Sequence, residues 1–403
     1  MTVEPAAPAL PPGAGGSRGS TPWTRSTAWA GRAGWDEERV ARAALSRLVE
    51  PADPDLVRLL RRHPAAEVLD ALWRGALDAP RAPHWSARLH RLDVDADLRA
   101  ADAVKARLVH PGDPEWPAGL QDLGDAEPVA LWVRGTGDLA ASVERAVAIV
   151  GARACTAYGG SVAAELGASL AERGWSIVSG GAHGVDACAH RGALAAGGTT
   201  IGILASGVDQ PYPPGNARLL ERIATEGLLV SELPPGEHPT RGRFLVRNRL
   251  IAALPAGTVV VEASARSGAL STAHRSLQLG RPTMGVPGPV TSAMSQGIHH
   301  AIREFGMVLV TGPDQVVDAV GAVGADLAPW PQGPTVPSDR LPSDAKRVLE
   351  AVPMPGRGPQ DTESIAVAAG LAADAVMSAL GRLAAEGFVE RTDTGWRRTA
   401  AMP

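Results

Sequence analysis

Between residues 130 and 321 the chain alternates short apolar runs with longer stretches of mixed polarity. The runs are Ala130–Val133, Ala146–Val150, Ser176–Val178, Thr200–Leu204, Leu228–Val230, Val259–Val261, Thr283–Val286 and Val308–Val310. Most are too short and too uniformly apolar to be strands with one wet face, and helical stretches separate most of them. Such alternation predicts an α/β fold, a largely parallel sheet with helices on both faces. Ligands of such sheets sit beyond the carboxyl ends of the strands, where loops open into helices.

Upstream the period changes. Trp35 to Glu50 carries apolar residues at Val40, Ala44, Leu45 and Leu48, and two further helical stretches, Pro54–Arg62 and Pro64–Arg74, each open on a proline suited to a first turn. Downstream of a Pro-rich stretch come helices near Asp344–Ala351, Glu363–Ala369 and Ala372–Glu386, then Gly387–Arg391, a turn at Asp393–Gly395, and Trp396–Arg398. Three helices followed by a hairpin is the order of a winged helix. Residues 1–33, rich in Pro, Ala, Gly and Ser without periodicity, read as disordered. The expected organisation is a tail (1–33), a small helical domain (34–108), the α/β domain (109–323), a linker (324–342) and a winged-helix unit (343–403).

Composition narrows the chemistry. A net charge of −4 excludes a globally basic coat, though not a local basic patch. The two cysteines, Cys155 and Cys188, make neither a C-x-x-C pair nor a four-ligand zinc set. No run of about 18 apolar residues occurs, and the opening residues lack the charged-then-apolar order of a signal peptide, so a cytoplasmic protein with no membrane span is expected. Lys105 and Lys346 are the only lysines and neither follows a glycine, which excludes the G-K-[ST] phosphate loop. Gly15–Gly19 fits G-x-S-x-G but has no strand before it and no helix after it, so it is no hydrolase elbow. His183, His190, His299 and His300 offer no third ligand at metal spacing, and no metal is expected.

Candidate chemistry gathers in loops that follow the apolar runs. Gly151-Ala152-Arg153 ends one run, and Ser179-Gly180-Gly181-Ala182-His183-Gly184-Val185-Asp186 ends the next. Glycines there let the backbone approach a ligand, and free amides at a helix start favour an anion. The spacing G-G-x-x-G is not the dinucleotide fingerprint. Arg241-Gly242-Arg243-Phe244-Leu245-Val246-Arg247-Asn248-Arg249 places four arginines in nine residues without an acid, around one of only three phenylalanines. Cations with an interleaved ring suit a single nucleic-acid strand, whose phosphates need charge and whose bases need a stacking face. The alternative is a solvated helix start with Phe244 turned into the core. Glu262 ends another run ahead of Ser267-Gly268-Ala269-Leu270-Ser271-Thr272-Ala273, and could serve as a general base, a ribose contact or an arginine partner.

Together these residues resemble the DNA-processing protein A family (DprA, also called Smf) from about Asp113 to Gly321. The match includes Asp113-x-x-Trp116-Pro117-x-x-Leu120, Leu131-Trp132-x-Arg134-Gly135, Val150-Gly151-x-Arg153 and Ser179-Gly180-x-Ala182-x-Gly184-Val185-Asp186. It continues through Ala189-His190-x-Gly192-Ala193-Leu194, Tyr212-Pro213, Ser231-Glu232, Phe244-x-x-Arg247-Asn248-Arg249-x-Ile251, and Glu262 with Ser267-Gly268-x-Leu270-x-Thr272-Ala273. Gly280-Arg281-Pro282 and Val286-Pro287-Gly288 close it.

The resemblance implies an extended Rossmann-like domain that binds single-stranded DNA without sequence preference. It implies a homodimer that protects incoming DNA and loads RecA in natural transformation and recombination, with no cofactor and no turnover. By position Arg153, Arg241 and Phe244 correspond to the DNA-contacting set, Gly151, Ser179 and Gly180 to backbone contacts with phosphates, and Arg247 and Asn248 to pocket residues. His183, Gly184, Arg243, Arg249, Glu262, Ser267, Gly268 and Thr272 complete the expected interface. The chain departs from the family pattern at Gly181, His183, Leu245 and His299. The alternative is a nucleotide-processing enzyme of the cytokinin-activating phosphoribohydrolase type, whose P-G-G-x-G-T-x-x-E signature this chain lacks: Glu262 precedes its small-residue loop, and Pro287-Gly288-Pro289 breaks the match.

Overall fold

The computed structural model describes residues 35–321 and 336–399. The expected tail and residues 324–335 of the expected linker lie outside the described residues. Two compact units divide between residues 328 and 329.

The first unit opens with α1 (Glu37–Leu48), α2 (Pro54–Leu60), α3 (Ala65–Trp73), α4 (Ala82–Ser86) and α5 (Val94–Ala103). Asp36, Asp53 and Asp93 cap α1, α2 and α5 by accepting from backbone amides of their first turns. The strands are β1 (Ala106–Val109), β2 (Leu131–Arg134), β3 (Ala146–Val150), β4 (Ser176–Ser179), β5 (Thr200–Ile203), β6 (Leu228–Ser231), β7 (Gly257–Val260), β8 (Thr283–Gly285) and β9 (Val308–Leu309). Among the described residues these nine form one sheet in the order β1-β2-β6-β5-β4-β3-β7-β8-β9. From β6 to β9 neighbours run parallel, while β2 is antiparallel to both β1 and β6. The helices between and after the strands are α6 (Leu139–Glu144), α7 (Ala157–Glu172), α8 (Val185–Ala195), α9 (Ala217–Glu226), α10 (Arg241–Ala253), α11 (Gly268–Gln278), α12 (Gln296–Phe305) and α13 (Pro313–Val320).

Alternate strand residues serve opposite faces. Ala146, Ala148 and Val150 pack with Val260, with Leu250, Ile251 and Ala253 of α10, and with Ala269 and Ala273 of α11. Val147, Ile149 and Val259 pack on the other side with Leu166 and Leu170 of α7, Val185 of α8 and Val316 of α13. Toward β2 and β6 this second face is covered by the N-terminal helices together with α9. Trp132 and Leu229 share one core with Leu45, Leu48, Leu69 and Leu72, and the Trp132 indole donates to Ser46 Oγ at 3.3 Å.

That shared core changes the expected domain plan. The boundary placed between residues 108 and 109 falls inside β1, which pairs with β2. The helical segment is one layer of the α/β unit, because its leucines share a core with Trp132 and Leu229 of the sheet.

The described residues of the second unit form α14 (Ser343–Ala351), α15 (Thr362–Ala369) and α16 (Ala373–Ala385), then an antiparallel hairpin of β10 (Val389–Thr392) and β11 (Gly395–Arg398). Val348, Ile365, Leu380, Leu383, Phe388 and Trp396 make its core. Among the described residues no single helix is long and apolar enough to cross a membrane. The bent pair α15–α16 passes that test only jointly, and it supplies part of this core.

Candidate nucleic-acid interface

The sheet order reverses at β3, with β4, β5 and β6 on one side and β7, β8 and β9 on the other. Such a switch opens a crevice at the carboxyl ends of β3 and β7, the usual ligand site of an open parallel sheet. Here Glu262 occupies it. The side chain is 2% exposed and accepts from the Thr156 hydroxyl at 2.6 Å and the Thr156 amide at 2.8 Å, while its own carbonyl accepts from the Ala152 amide at 2.7 Å. Thr156 in turn caps α7. A carboxylate of the chain itself thus sits at the helix N-terminus, where a ligand phosphate would otherwise be favoured.

The second loop turns inward in the same way. Ser179 is fully buried and its hydroxyl donates to the Ile149 carbonyl at 2.6 Å, across from β4 to β3. The amides of Gly180 and Ala182 donate to Asp186 Oδ2 at 3.1 and 3.4 Å. Burial pushes the Asp186 carboxyl up, while Arg247 and the loop amides, Gly151 among them, pull it down. Gly184 holds φ +79°, and a methyl group there would collide with the Ala152 carbonyl, so the two loops pack backbone to backbone. His183 stays exposed at the rim.

Thr240 caps α10, which begins at Arg241. Arg241 is exposed and has no carboxylate partner among the described residues. Phe244, one turn later, is half-buried. The Arg153 guanidinium lies 5.0 Å from its ring centre, Arg247 lies 5.8 Å away, and the Tyr212 ring is tilted against it at 5.7 Å. Arg153 is exposed and likewise has no carboxylate partner among the described residues.

The other arginines of the run face different neighbours. Arg243 donates to Glu50 at 3.0 and 3.1 Å, to Glu237 at 2.5 Å and to the His238 carbonyl at 2.8 Å. Arg249 is 1% exposed, forks onto both oxygens of Glu232 at 2.5 and 2.6 Å, and donates to the Ala126 carbonyl at 2.9 Å. Arg247 is buried beneath the second loop and donates to the Ile203 carbonyl at 2.5 Å. Burial brings its pKa down to about 10, against the pull of Asp186 and with a push from Arg153. A methyl group on Gly180 would strike this guanidinium, so the glycine leaves it room.

Several residues expected to contact DNA are engaged within the fold instead. Ser179, Arg247, Arg249, Glu262 and Thr272 are buried, and Arg243 is neutralised by two carboxylates. Gly151 and Gly180 spend their amides on Asp186, and Gly184 faces the first loop. Asn248 reaches the Gly268 carbonyl at 3.5 Å, and the Ser267 hydroxyl caps α11, so these three tie α10 to α11. What the fold leaves at the surface is Arg153, His183 and Arg241, with Phe244 half-buried under Arg153.

Three surface residues were not singled out for this face: Tyr212 against Phe244, and Arg218 and Arg266, which are exposed and have no carboxylate partner among the described residues. Tyr212 was named only within the family match, and the sequence signal of the two arginines was position alone. Each follows the carboxyl end of a parallel strand, β5 or β7, as Arg153 follows β3 and Arg241 follows β6.

The family model described as DNA recombination-mediator protein A matches residues 107–321. The putative DNA processing protein DprA of Mycobacterium tuberculosis is 43% identical over 365 residues, spanning 88% of this chain and 93% of that protein. The DNA processing protein DprA of Streptococcus pneumoniae is 39% identical over 203 residues, spanning 50% of this chain and 71% of its own. The X-ray structure of DprA from Streptococcus pneumoniae superposes with a TM-score of 0.60 at 32% identity, covering 72% of this chain and 99% of that one. The matched span begins within β1 and ends just after α13, taking in the sheet, the loop that carries Arg153 and the helix start that carries Arg241 and Phe244. This chain belongs to the DNA recombination-mediator protein A family.

Proposed function

We propose that this chain binds single-stranded DNA without sequence preference, as a homodimer, and protects and passes it to RecA in natural transformation and recombination, with neither cofactor nor turnover. The observation that carries the reading is the cluster of Arg153, Arg241 and Phe244 at the carboxyl edge of the sheet. The exposed Arg153 guanidinium lies over a half-exposed ring, and the exposed Arg241 stands three residues before that ring at the start of α10. Neither arginine has a carboxylate partner among the described residues, and family membership supports a role in DNA processing. The order of three helices and a hairpin in the second unit supports a winged helix. At the open edge of the sheet Val308 and Leu309 of β9 are half exposed beside Phe305, which supports pairing with a second copy.

A rival phosphoribohydrolase reading asks Glu262 to act as a base. Its carboxylate is instead spent on Thr156, within hydrogen-bond distance of both the hydroxyl and the amide. Fluorescence anisotropy with a labelled unstructured oligonucleotide tests binding. Affinity should fall with salt, be similar for dT and mixed sequences, and weaken for duplex. Absence of binding would sink the proposal. So would release of phosphate, adenine or ribose 5-phosphate from ATP, AMP or NAD that Glu262→Ala abolishes.

A further inference from the structure

The chain has two cysteines in 403 residues, 33 positions apart, and the fold brings them together. Cys155 lies in the first loop, two residues after Arg153, and Cys188 lies in the first turns of α8. A methyl group placed on Gly160 of α7 would touch both sulfurs, Cys188 Sγ at 3.6 Å and Cys155 Sγ at 3.7 Å. Both thiols are reduced and partly exposed.

The loop between them is already held at one end. The Val185 amide donates to the Ala152 carbonyl at 3.2 Å, joining α8 to the residue before Arg153. On the other side of the turn, Thr156 is fixed by Glu262. A bond from Cys155 to Cys188 would fasten the turn Ala152–Cys155 to α8 at both ends, with Arg153 between.

We propose that Cys155 and Cys188 form a reversible disulfide that clamps the Arg153 turn against α8 and lowers affinity for single-stranded DNA. The formation of the bond stands on the geometry alone, and its effect on affinity rests on the DNA-binding reading above. The oxidant is a small-molecule disulfide such as oxidised glutathione. A thiolate of one cysteine attacks it, breaking its S–S bond and expelling one thiol. The thiolate of the second cysteine attacks the mixed disulfide, forms the internal bond and expels the other thiol. Two protein thiols become one disulfide, and the small disulfide carries away both electrons and both protons as two thiols. Burial foremost, then Cys188 and Glu262, holds the Cys155 thiol above its usual range, so its thiolate is the minor form and exchange with the oxidant is slow at neutral pH.

The test uses the full chain, first reduced and then exposed to oxidised glutathione. Intact mass after alkylation should show both free thiols lost and the mass lowered by two hydrogens, with no glutathione retained and full reversal by dithiothreitol. Cys155→Ser and Cys188→Ser should instead each retain a glutathione adduct. Two thiols left free, a stable adduct on the unmutated chain, or cross-linked dimers would overturn the pairing. Anisotropy then compares reduced with oxidised chain. A weakening of at least threefold, absent from the double variant Cys155→Ser/Cys188→Ser, which can carry neither disulfide nor adduct, is the expected result, and equal or tighter binding after complete disulfide formation would overturn the clamp. Failure of the reduced chain to bind would instead refute the DNA-binding reading and leave the disulfide result standing.

Discussion

Arg153 rests its guanidinium on the face of Phe244, 5.0 Å from the ring centre. In that position the cation covers the surface on which a base would stack, so the proposed mode of binding requires an exchange in which Arg153 moves to a phosphate and a base takes its place. A cation over an exposed ring is worth about 0.5–1 kcal/mol, which a phosphate contact with counterion release can replace. Arg241→Ala should weaken binding and flatten the slope of log affinity against log salt by about 0.7 per lost contact. Phe244→Ala should cost about 1–3 kcal/mol at unchanged slope. Each single variant also relieves the pairing in the free chain, so the Arg153/Phe244 double variant should lose about 0.5–1 kcal/mol more than the two singles added together. An additive cycle would mean that Arg153 never leaves the ring. Because Phe244 is half-buried, its thermal midpoint must be followed too, and normal binding by a destabilised Phe244→Ala would assign the ring to packing. At this scale the sequence showed which residues carry charge but not which charges were free. The run Arg241–Arg249 holds no acid, yet Arg243 and Arg249 are neutralised by Glu50, Glu237 and Glu232, which reach them only through the fold.

Between α8, β4 and β5 a buried histidine links secondary structure to pH. The Thr200 hydroxyl donates to the Ile177 carbonyl at 2.8 Å, so its oxygen must accept from His190 Nδ1, 2.7 Å away. The ring proton therefore sits on Nδ1, and the buried Nε2 has no partner among the described residues. Protonating Nε2 would place an unpaired charge in the core. Burial, and secondarily Arg247, lower this pKa to about 3. A depressed folded pKa means stability that is present above the unfolded value near 6.5 and is lost as pH falls toward 3, at about 1.4 kcal/mol per pH unit. Asp186 works in the opposite sense, because its raised pKa favours the folded state as pH falls through that value. The readout is thus a comparison: chemical denaturation between pH 6.5 and 4 should lose stability more steeply in the unmutated chain than in His190→Gln, and parallel curves would refute the assignment. The neighbouring elements were legible because apolar runs of three to five residues alternate with helices. β1 was not. Its four residues directly follow α5 and lie at an antiparallel edge, where only pairing with β2 identifies them as a strand.

For the whole molecule, covering helices and interface are one construction. Arg47 of α1 binds Asp97 of α5, and also Glu237 at 2.5 Å and the Pro235 carbonyl at 2.6 Å, in the loop that leads into α10. Glu237 then holds Arg243. The N-terminal helices thereby fix the approach to Arg241 and Phe244 as well as covering Trp132 and Leu229. Periodicity revealed those helices as helices, but a shared core is a non-local fact that no window of sequence contains. The second unit stands differently. It closes its own core, and residues 343–403 carry seven basic and eight acidic side chains, so it offers no concentrated field for phosphates. Its third helix, α16, bears Arg382 and Asp374 as its charged residues, whereas a major-groove reader presents several basic or amide side chains. Two truncations should therefore behave oppositely. A chain ending at residue 328 should fold and keep its affinity for single-stranded DNA within tenfold, or about 1.4 kcal/mol. A chain lacking residues 35–103 should aggregate or melt far below the intact protein, because it removes Ser46 and the leucines packed with Trp132 and frees Glu237 and Arg243 from Arg47 and Glu50. Circular dichroism melts and anisotropy on both variants decide the matter. A tenfold loss in the first would place DNA recognition in the second unit, and a stable, binding-competent second variant would restore the helical segment to the status of a separate domain.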